Sequence, residues 1–405
     1  MTDESNGMPA RIVWLDNAKL FPQVKTSSPA KMLAGVIHEA LPQWGNQRRG
    51  MPADRHLRKI ENVTANDYLQ LQPLPKRQLK GITLYGGPLI IHFGHFIAES
   101  IHRCWAYEVL TDEGIHIDQV LFQQRLRQRF FRPEKRFRDL PDYIREIIAY
   151  LGVPEKKICL QYKPVIASKL AVPEQASFFR GVESVQSSYL AYLRRCEHRA
   201  KLADSDGRLP KKLYVSRLKY KFRGAFAGEA YLQDCFLKQG YTIFDPESLS
   251  VLDQLKHYKA ADSIVFAEGG AIHMLELLGE INADVIIINR RPLSERVYGP
   301  LLRNRTKSLN FFDNVLMLPS LFLPPSSGKP AHGSALSVLD GRQLNAFLQS
   351  LLKFPDNAFS LAEFDAATKE DILAYQAHYS VLNRAFLAQQ QASLERFRES
   401  SKAWL

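Results

Sequence analysis

Between Lys212 and Asn289, strand-like apolar stretches alternate with helix-like segments, and this alternation constrains the fold more than any other feature of the chain. Lys212 to Ser216 reads as a strand, Glu229 to Gln239 as a helix stopped by Gly240, and Tyr241 to Phe244 as a second strand. Ser250 to Ala261 reads as a helix, Ser263 to Ala267 as a strand, Ala271 to Leu278 as a helix closed by Gly279, and Asp284 to Asn289 as a fourth strand. Strands joined this way through short connections imply right-handed crossovers and a parallel sheet covered by helices on both faces. The expected fold class is α/β, with a Rossmann-like second half.

Ligands of such sheets sit outside the carboxyl ends of the strands. Ser216 and Arg217 end the first strand, Asp245 and Glu247 follow the second, and Glu268-Gly269-Gly270-Ala271 follows the third before a helix that carries His273. A Gly-Gly pair lets backbone approach a ligand closely, and N–H groups at a helix start favour a phosphate. Arg217 adds a bidentate partner for the same anion. Each element also has a plainer reading: a tight turn at Gly269-Gly270, a solvated loop at Arg217, Lys219, Lys221 and Arg223, and a helix entry at Glu247. Neither a GxGxxG nor a Walker A lysine motif is present.

A second feature lies upstream, in the stretch Gly86 to His102. If a helix begins near His92, then His92, His95, Glu99 and His102 stand at offsets of 0, 3, 7 and 10, which places all four on one face. Imidazoles mixed with a carboxylate make neither an apolar nor a simply solvated face, so the face is expected to line a cleft. Histidines held by backbone carbonyls are the competing reading, and the favoured one for His102. A zinc or iron site built from His92, His95 and Glu99 is another, without an HExxH arrangement or a second cluster to complete it.

At 405 residues, with 45% hydrophobic and 24% charged side chains, the composition is that of a globular protein with room for two domains and an appendage. Ala203-Asp204-Ser205-Asp206-Gly207 is the best linker, which divides the chain into 1–202, 208–335 and 336–405. In the first part, Ile82 to Tyr85, Gln119 to Phe122, Ile158 to Tyr162 and Val165 to Leu170 read as strands. Leu140 to Leu151 reads as a helix stopped by Gly152, and Ser184 to Lys201 as another. The last part reads as helical over Val338 to Leu352 and Lys369 to Arg396, crossing back over the first domain or forming an oligomer contact. Four widely spaced cysteines, Cys104, Cys159, Cys196 and Cys235, suggest reduced packing residues. A polar, acidic start and short apolar runs such as Val285 to Ile288 give the expectation of a cytoplasmic protein.

The net charge of +12 favours anionic partners. Its densest part runs from Arg125 to Arg138, where Phe130, Phe131 and Phe137 interleave with arginines and Lys135. No nucleic-acid-binding signature accompanies it, so the block is expected near an anionic acceptor or at a membrane surface, or as a solvated face.

Leu213-Tyr214-Val215-Ser216-Arg217, Gly228-Glu229, Pro246-Glu247-Ser248-Leu249-Ser250 with Gln254, and Ala260 to Val265 leading into Glu268-Gly269-Gly270-Ala271 resemble the pattern of glycosyltransferase family 61, the capsular polysaccharide biosynthesis type. Phe93-Gly94-His95-Phe96-Ile97-Ala98-Glu99 is similar to that family's upstream segment. The resemblance implies a GT-B-like architecture, meaning two Rossmann-like domains facing a cleft. It also implies a nucleotide-sugar donor held mainly by the second domain, a glycan or glycolipid acceptor, and inverting transfer with no obligatory metal or other cofactor. Two positions depart from the pattern: Glu268-Gly269 stands where the family commonly has His-Gly, and Gly228-Glu229 where it has Asn-Glu.

On this resemblance, His95 or Glu99 is the base that takes the acceptor proton, with Glu99 one helical turn away to tune His95. Arg217 and the amides of Gly269, Gly270 and Ala271 hold the diphosphate. Glu247 binds the donor ribose or sugar, Glu268 lies beside the donor, and His273 stands near the phosphates. A metal-dependent hydrolase using His92, His95 and Glu99, and a non-catalytic protein that binds anionic glycans, are the rival classes.

Overall fold

The structure, a computed structural model, describes residues 11–25, 32–38, 57–58, 75–127, 136–177, 185–203, 207–324, 328–380 and 386–405. Its second half contains the parallel sheet that the alternation predicts. Strands β8 (Lys212–Val215), β9 (Thr242–Phe244), β10 (Ser263–Ala267), β11 (Ile281–Ile288) and β12 (Thr306–Phe312) lie in the order β12-β11-β10-β8-β9. All neighbours are parallel. The run Val285-Ile286-Ile287-Ile288 is buried throughout, as a strand covered on both faces requires. The sequence reading omitted β12, whose polar Thr306, Lys307, Ser308 and Asn310 mask an edge strand.

The first half is built on a mixed sheet of β1 (Ile12–Lys25), β2 (Met32–Ile37), β3 (Leu57–Arg58), β4 (Arg77–Leu89), β5 (Gln119–Arg127), β6 (Ile158–Gln161) and β7 (Val165–Pro173). Within it β7, β4, β5 and β6 run parallel, while β1 joins antiparallel to β7 and β2. The first half is thus a mixed α/β unit with parallel central strands, to which β1 and β2 add antiparallel pairing. The crossover from β4 to β5 carries the histidine segment, and that from β5 to β6 carries the helix Asp142–Tyr150. Gly152, at φ +80°, terminates that helix in the left-handed region open to glycine.

A single buried apolar cluster joins the two halves, bringing Phe96, Ile144, Ile147 and Leu193 together with Ile272, Met274, Leu277 and Ile287. Polar ties reinforce it: Tyr150 Oη donates to the Leu277 carbonyl at 3.0 Å, and the Gly279 N–H donates to Glu197 Oε1 at 2.5 Å. Such a shared core fixes the walls of anything built between the sheets.

The C-terminal part differs from the expected single helix over Lys369 to Arg396. It folds as helices Leu361–His378 and Leu387–Ser401, with residues 381–385 outside the described set, and Val338 belongs to a strand, Ser337–Leu339. These helices pack on the second half rather than crossing the first. Phe364 lies against Phe359 and Tyr231, and Asp371 Oδ2 accepts the Gly228 N–H at 2.9 Å. Gly228, at φ +82°, leaves no room for a side chain, since a Cβ would stand 2.6 Å from the Phe364 ring. Among the described residues no helix is long and apolar enough to cross a membrane. All four cysteines are unpaired, and Cys104, Cys196 and Cys235 are buried.

Candidate active site

In the strand order of the second sheet, β8 and β10 are neighbours whose following crossovers leave in opposite directions, which is the switch point where such sheets bind ligands. A cleft of about 1340 Å³ opens there. Ser216, Arg217, Gly269, Gly270, Ala271 and His273 line it from the second half; His92, Phe93, Gly94, His95, Tyr143 and Glu146 line it from the first. The histidine segment follows the carboxyl end of β4, so both walls are built at strand ends.

The second-half wall is cationic. Arg217 spans the end of β8, its Nε donating to the Gly224 carbonyl at 2.5 Å and its guanidinium stacking 5.0 Å above the Tyr220 ring. Tyr220 in turn donates to Glu247, and Lys219 pairs with Asp245. Gly269 makes room for Arg217: a Cβ at that position would stand 2.6 Å from Nη1. The obstructed group is the end of a flexible side chain. Gly269→Ala is therefore expected to swing Arg217 aside, loosening its ties to the Gly224 and Arg223 carbonyls, and to weaken binding of an anionic ligand about tenfold. Equal affinity in titrations of the two proteins would refute this role for the glycine.

Arg290 and Arg291 complete the wall from the end of β11. Both are placed by Glu268, which is fully buried and accepts from Arg290 N at 2.9 Å, Arg291 N at 3.0 Å and Arg291 Nε at 2.8 Å. Burial works to raise the Glu268 carboxyl, but the Arg291 and Arg290 charges outweigh it, so its pKa lies below the usual carboxylate range. Burial, with repulsion from Arg291, pulls Arg290 down to about 10, leaving it charged at neutral pH.

Glu229 underpins Arg217. Placed at the start of helix Glu229–Lys238 and buried, it accepts the Arg217 N–H at 2.6 Å and the Ser216 hydroxyl at 3.3 Å. Burial pushes its carboxyl up from 4.5 to about 7, against these bonds. Between those values the folded state binds more protons than the unfolded one, so this contribution to stability is present below 4.5 and lost as pH rises towards about 7. Relative to Glu229→Gln, the protein should lose up to about 3 kcal/mol across that window. Thermal melts of the two proteins as a function of pH check it; parallel curves would contradict it.

The first-half wall departs from one continuous helix. Phe93–His95 forms a single α-turn, Phe96–Ser100 a wider π-turn, and a helix resumes only at Trp105–Asp112. The π-turn holds one residue more per turn and so rotates everything after it. His95 and Glu99 remain together, with His95 Nδ1 2.5 Å from Glu99 Oε1. His92 stays at the cleft, its ring 4.9 Å from that of His95. His102 is turned into the core, with Nδ1 3.0 Å from the Tyr189 hydroxyl. Burial lowers His102 to about 4, and burial together with His95 and His273 lowers His92, so both are neutral at physiological pH. Among the described residues no three His, Cys, Asp or Glu side chains are grouped to hold a metal ion.

A family model described as Glycosyltransferase 61 matches residues 93–278. Over that span the chain is similar to glycosyltransferase family 61. Comparison with curated proteins gave no match. The matched span opens within the histidine segment and closes just after helix Gly270–Leu277, so it takes in most of both walls of the cleft but not His92, Arg290, Arg291, Tyr298, Gly333 or Ser334.

Of the residues expected at the site of this glycosyltransferase, His95, Arg217, Glu247, Gly269, Gly270, Ala271 and His273 line the cleft. Glu99 and Glu268 stand behind it, each holding a lining side chain. The expectation that Glu268 meets the donor is thereby corrected: its oxygens are occupied by Arg290 and Arg291, which neutralise a carboxylate that would otherwise repel a phosphate. His92 lines the cleft as well, beside His95. Sequence reasoning missed Arg290, Arg291 and Glu229. The arginines were within reach, because they follow Asp284 to Asn289 at a strand's carboxyl end; the burial of Glu229 left no trace in its neighbours. Residues 128–135 of the basic block lie outside the described set, as do residues 204–206 of the linker.

Proposed function

We propose that this glycosyltransferase is an inverting enzyme of GT-B-like arrangement that moves a sugar from a nucleotide-sugar donor to a glycan or glycolipid acceptor. The observation that carries the reading is the opposition of two chemistries across one cleft. Arg217, Arg290 and Arg291 gather positive charge on one wall, and the His95–Glu99 pair offers an oriented imidazole on the other. Residues 1–202 form the acceptor side and 208–335 the donor side, buttressed by 336–405.

In this reading Glu99 accepts a hydrogen bond from the His95 Nδ1–H, which leaves Nε2 as the acceptor nitrogen of the ring. Nε2 takes the proton of an acceptor hydroxyl as its oxygen attacks the anomeric carbon from the face opposite the diphosphate. The bond from that carbon to the diphosphate oxygen breaks, and the electron pair leaves with the diphosphate. Arg217, Arg290, Arg291 and the N–H groups at Gly269, Gly270 and Ala271 stabilise the charge that develops. One displacement from the back inverts the anomeric centre. Glu247, oriented by Tyr220, meets the ribose or the sugar. The wider reading is surface or capsular polysaccharide biosynthesis at the cytoplasmic face of a membrane, with Arg125 to Arg138 as the contact.

Thermal shift against UDP-, GDP-, ADP- and TDP-sugars tests the donor assignment, because a ligand of the native state raises its melting temperature. One nucleotide class is expected to stabilise the protein and to be turned over when acceptor glycans are supplied. A flat response to every nucleotide sugar, with no transfer, would overturn it.

A further inference from the structure

The cleft changes character along its length. Across the second sheet it runs from the loop after β9, past the ends of β8 and β10, to the end of β11. Arg217, Arg290, Arg291 and the N–H groups of Gly269 to Ala271 occupy the stretch from β8 to β11. The β9 end is lined instead by Asp245, Glu247, Ser248 and Ser250, and Lys219 is already paired there with Asp245. Carboxylates and hydroxyls accept hydrogen bonds, and the carboxylate charge repels a further phosphate, so this end suits an uncharged group.

Helix Asp142–Tyr150 of the first half flanks that end. Glu146 Oε2 accepts the Val251 N–H at 2.7 Å, which fixes the helix against the loop that carries Glu247. The loop is braced by its own bonds: Gln254 Nε2 donates to the Leu249 carbonyl at 3.1 Å, and Ser248 Oγ to the Asp245 carbonyl at 2.9 Å. Tyr143 stands three residues before Glu146 and so on the same helix face; it is partly buried and lines the cleft. Its ring meets those of Phe93 and Phe96 edge to face, at 5.3 Å and 6.1 Å between centroids. Phe93 lies in turn against Gly270, where a Cβ would stand 3.8 Å from Cδ1 of the ring. Tyr143 is therefore held between the Gly270 turn and the loop after β9. Among the described residues its hydroxyl has no hydrogen-bond partner, and burial raises its pKa, so it is a protonated donor at neutral pH.

We propose that the β9 end of the cleft is the nucleoside pocket of the donor, with the base stacked on Tyr143. The inference rests on the nucleotide-sugar reading and adds to it a donor contact from the first half. The ends of β9 and β10 are two strands apart, about 10 Å, and a nucleoside carried on a diphosphate at Gly269 to Ala271 covers that distance. This places the ribose, rather than the sugar, at Glu247. The base continues away from the diphosphate and meets the aromatic ring, whose hydroxyl supplies a further hydrogen bond.

Titration calorimetry with UDP, GDP, ADP and TDP, each set against ribose 5-diphosphate, measures what the base contributes. In the unaltered protein the preferred nucleoside diphosphate should bind about 10- to 100-fold more tightly than ribose 5-diphosphate. Tyr143→Leu keeps apolar bulk against Phe93 and Phe96; it should remove most of that gain and leave the affinity for ribose 5-diphosphate unchanged. Tyr143→Phe should lose only the share of the hydroxyl, about threefold. Comparing the two ligands on each variant cancels any general loosening of the site. A full gain retained in Tyr143→Leu overturns the inference, and a raised acceptor KM in that variant would then assign the ring to the acceptor. Absence of any gain over ribose 5-diphosphate in the unaltered protein overturns it too and leaves the donor reading standing. If neither nucleoside diphosphates nor nucleotide sugars bind the unaltered protein, both fall.

Discussion

His95→Ala is expected to lower kcat by about 10²- to 10⁴-fold, the range for loss of a positioned general base, while leaving donor affinity nearly unchanged. His95 stands on the wall opposite the guanidinium groups, so in the proposed mechanism its removal takes the base and not the anion site. The side chain is 48% exposed and its carboxylate partner 17%, which allows the substitution without a cavity in the core. Glu99→Gln keeps a hydrogen-bond acceptor and removes the charge; a smaller loss, on the order of tenfold, is expected. Because the two residues act as a unit, His95→Ala with Glu99→Gln should be no slower than His95→Ala alone. Steady-state rates of the three variants with saturating donor check the scheme. A double variant slowed by the product of the two single losses would mean that Glu99 acts on substrate by itself.

Arg217→Ala carries the second large effect, a loss of donor affinity on the order of 100-fold or more. Its guanidinium is largely withdrawn from water, which strengthens each contact it makes with an anion and leaves an unpaired phosphate in its absence. Arg217 also ties its own loop together through the Gly224 and Arg223 carbonyls, so alanine loosens the site as well as removing charge. Arg217→Lys separates the two contributions. It restores a positive charge without the planar fork, and is expected to recover only part of the affinity. Titration with the stabilising nucleotide sugar measures both variants; unchanged affinity in Arg217→Ala would remove the residue from the donor site. Glu268→Gln is a useful companion, since it leaves Arg217 in place and loosens Arg291, whose guanidinium donates to the Glu268 carboxylate.

The second half was legible because its signals are local. Buried parallel strands read as apolar runs, Gly240 marks a helix end with φ +77°, and Ser250 caps Val251–Ala260 through the Asp253 N–H at 3.2 Å. Each of these depends on neighbours in sequence. Strands β1 and β2 were missed because their partners lie far along the chain: β1 pairs with β7 about 150 residues away. The histidine segment failed in an instructive way. Its periodicity is that of a regular helix, yet Ile90 N donates to Ser100 Oγ at 3.1 Å and the core takes Phe96, Ile97, Ala98 and Ile101, and the backbone there adopts a π-turn. His95 and Glu99 survive this because they lie within about one turn of each other; His102, beyond the turn, does not.

The sequence alone determined which residues stand at the strand ends, since residues follow strands in a fixed order whatever the packing. It also determined that His95 and Glu99 can meet, because a separation of four residues brings them together in any helical turn. Only the tertiary structure decided what those residues face. Docking of the histidine segment onto helix Gly270–Leu277 set the His95–Glu99 pair across from Arg217, and burial turned Glu268 from a candidate donor contact into the anchor of Arg290 and Arg291. The physical reason is that charge is placed by pairing. A carboxylate withdrawn from water must find cations or give up its charge, and those cations come from β11, over 20 residues along the chain.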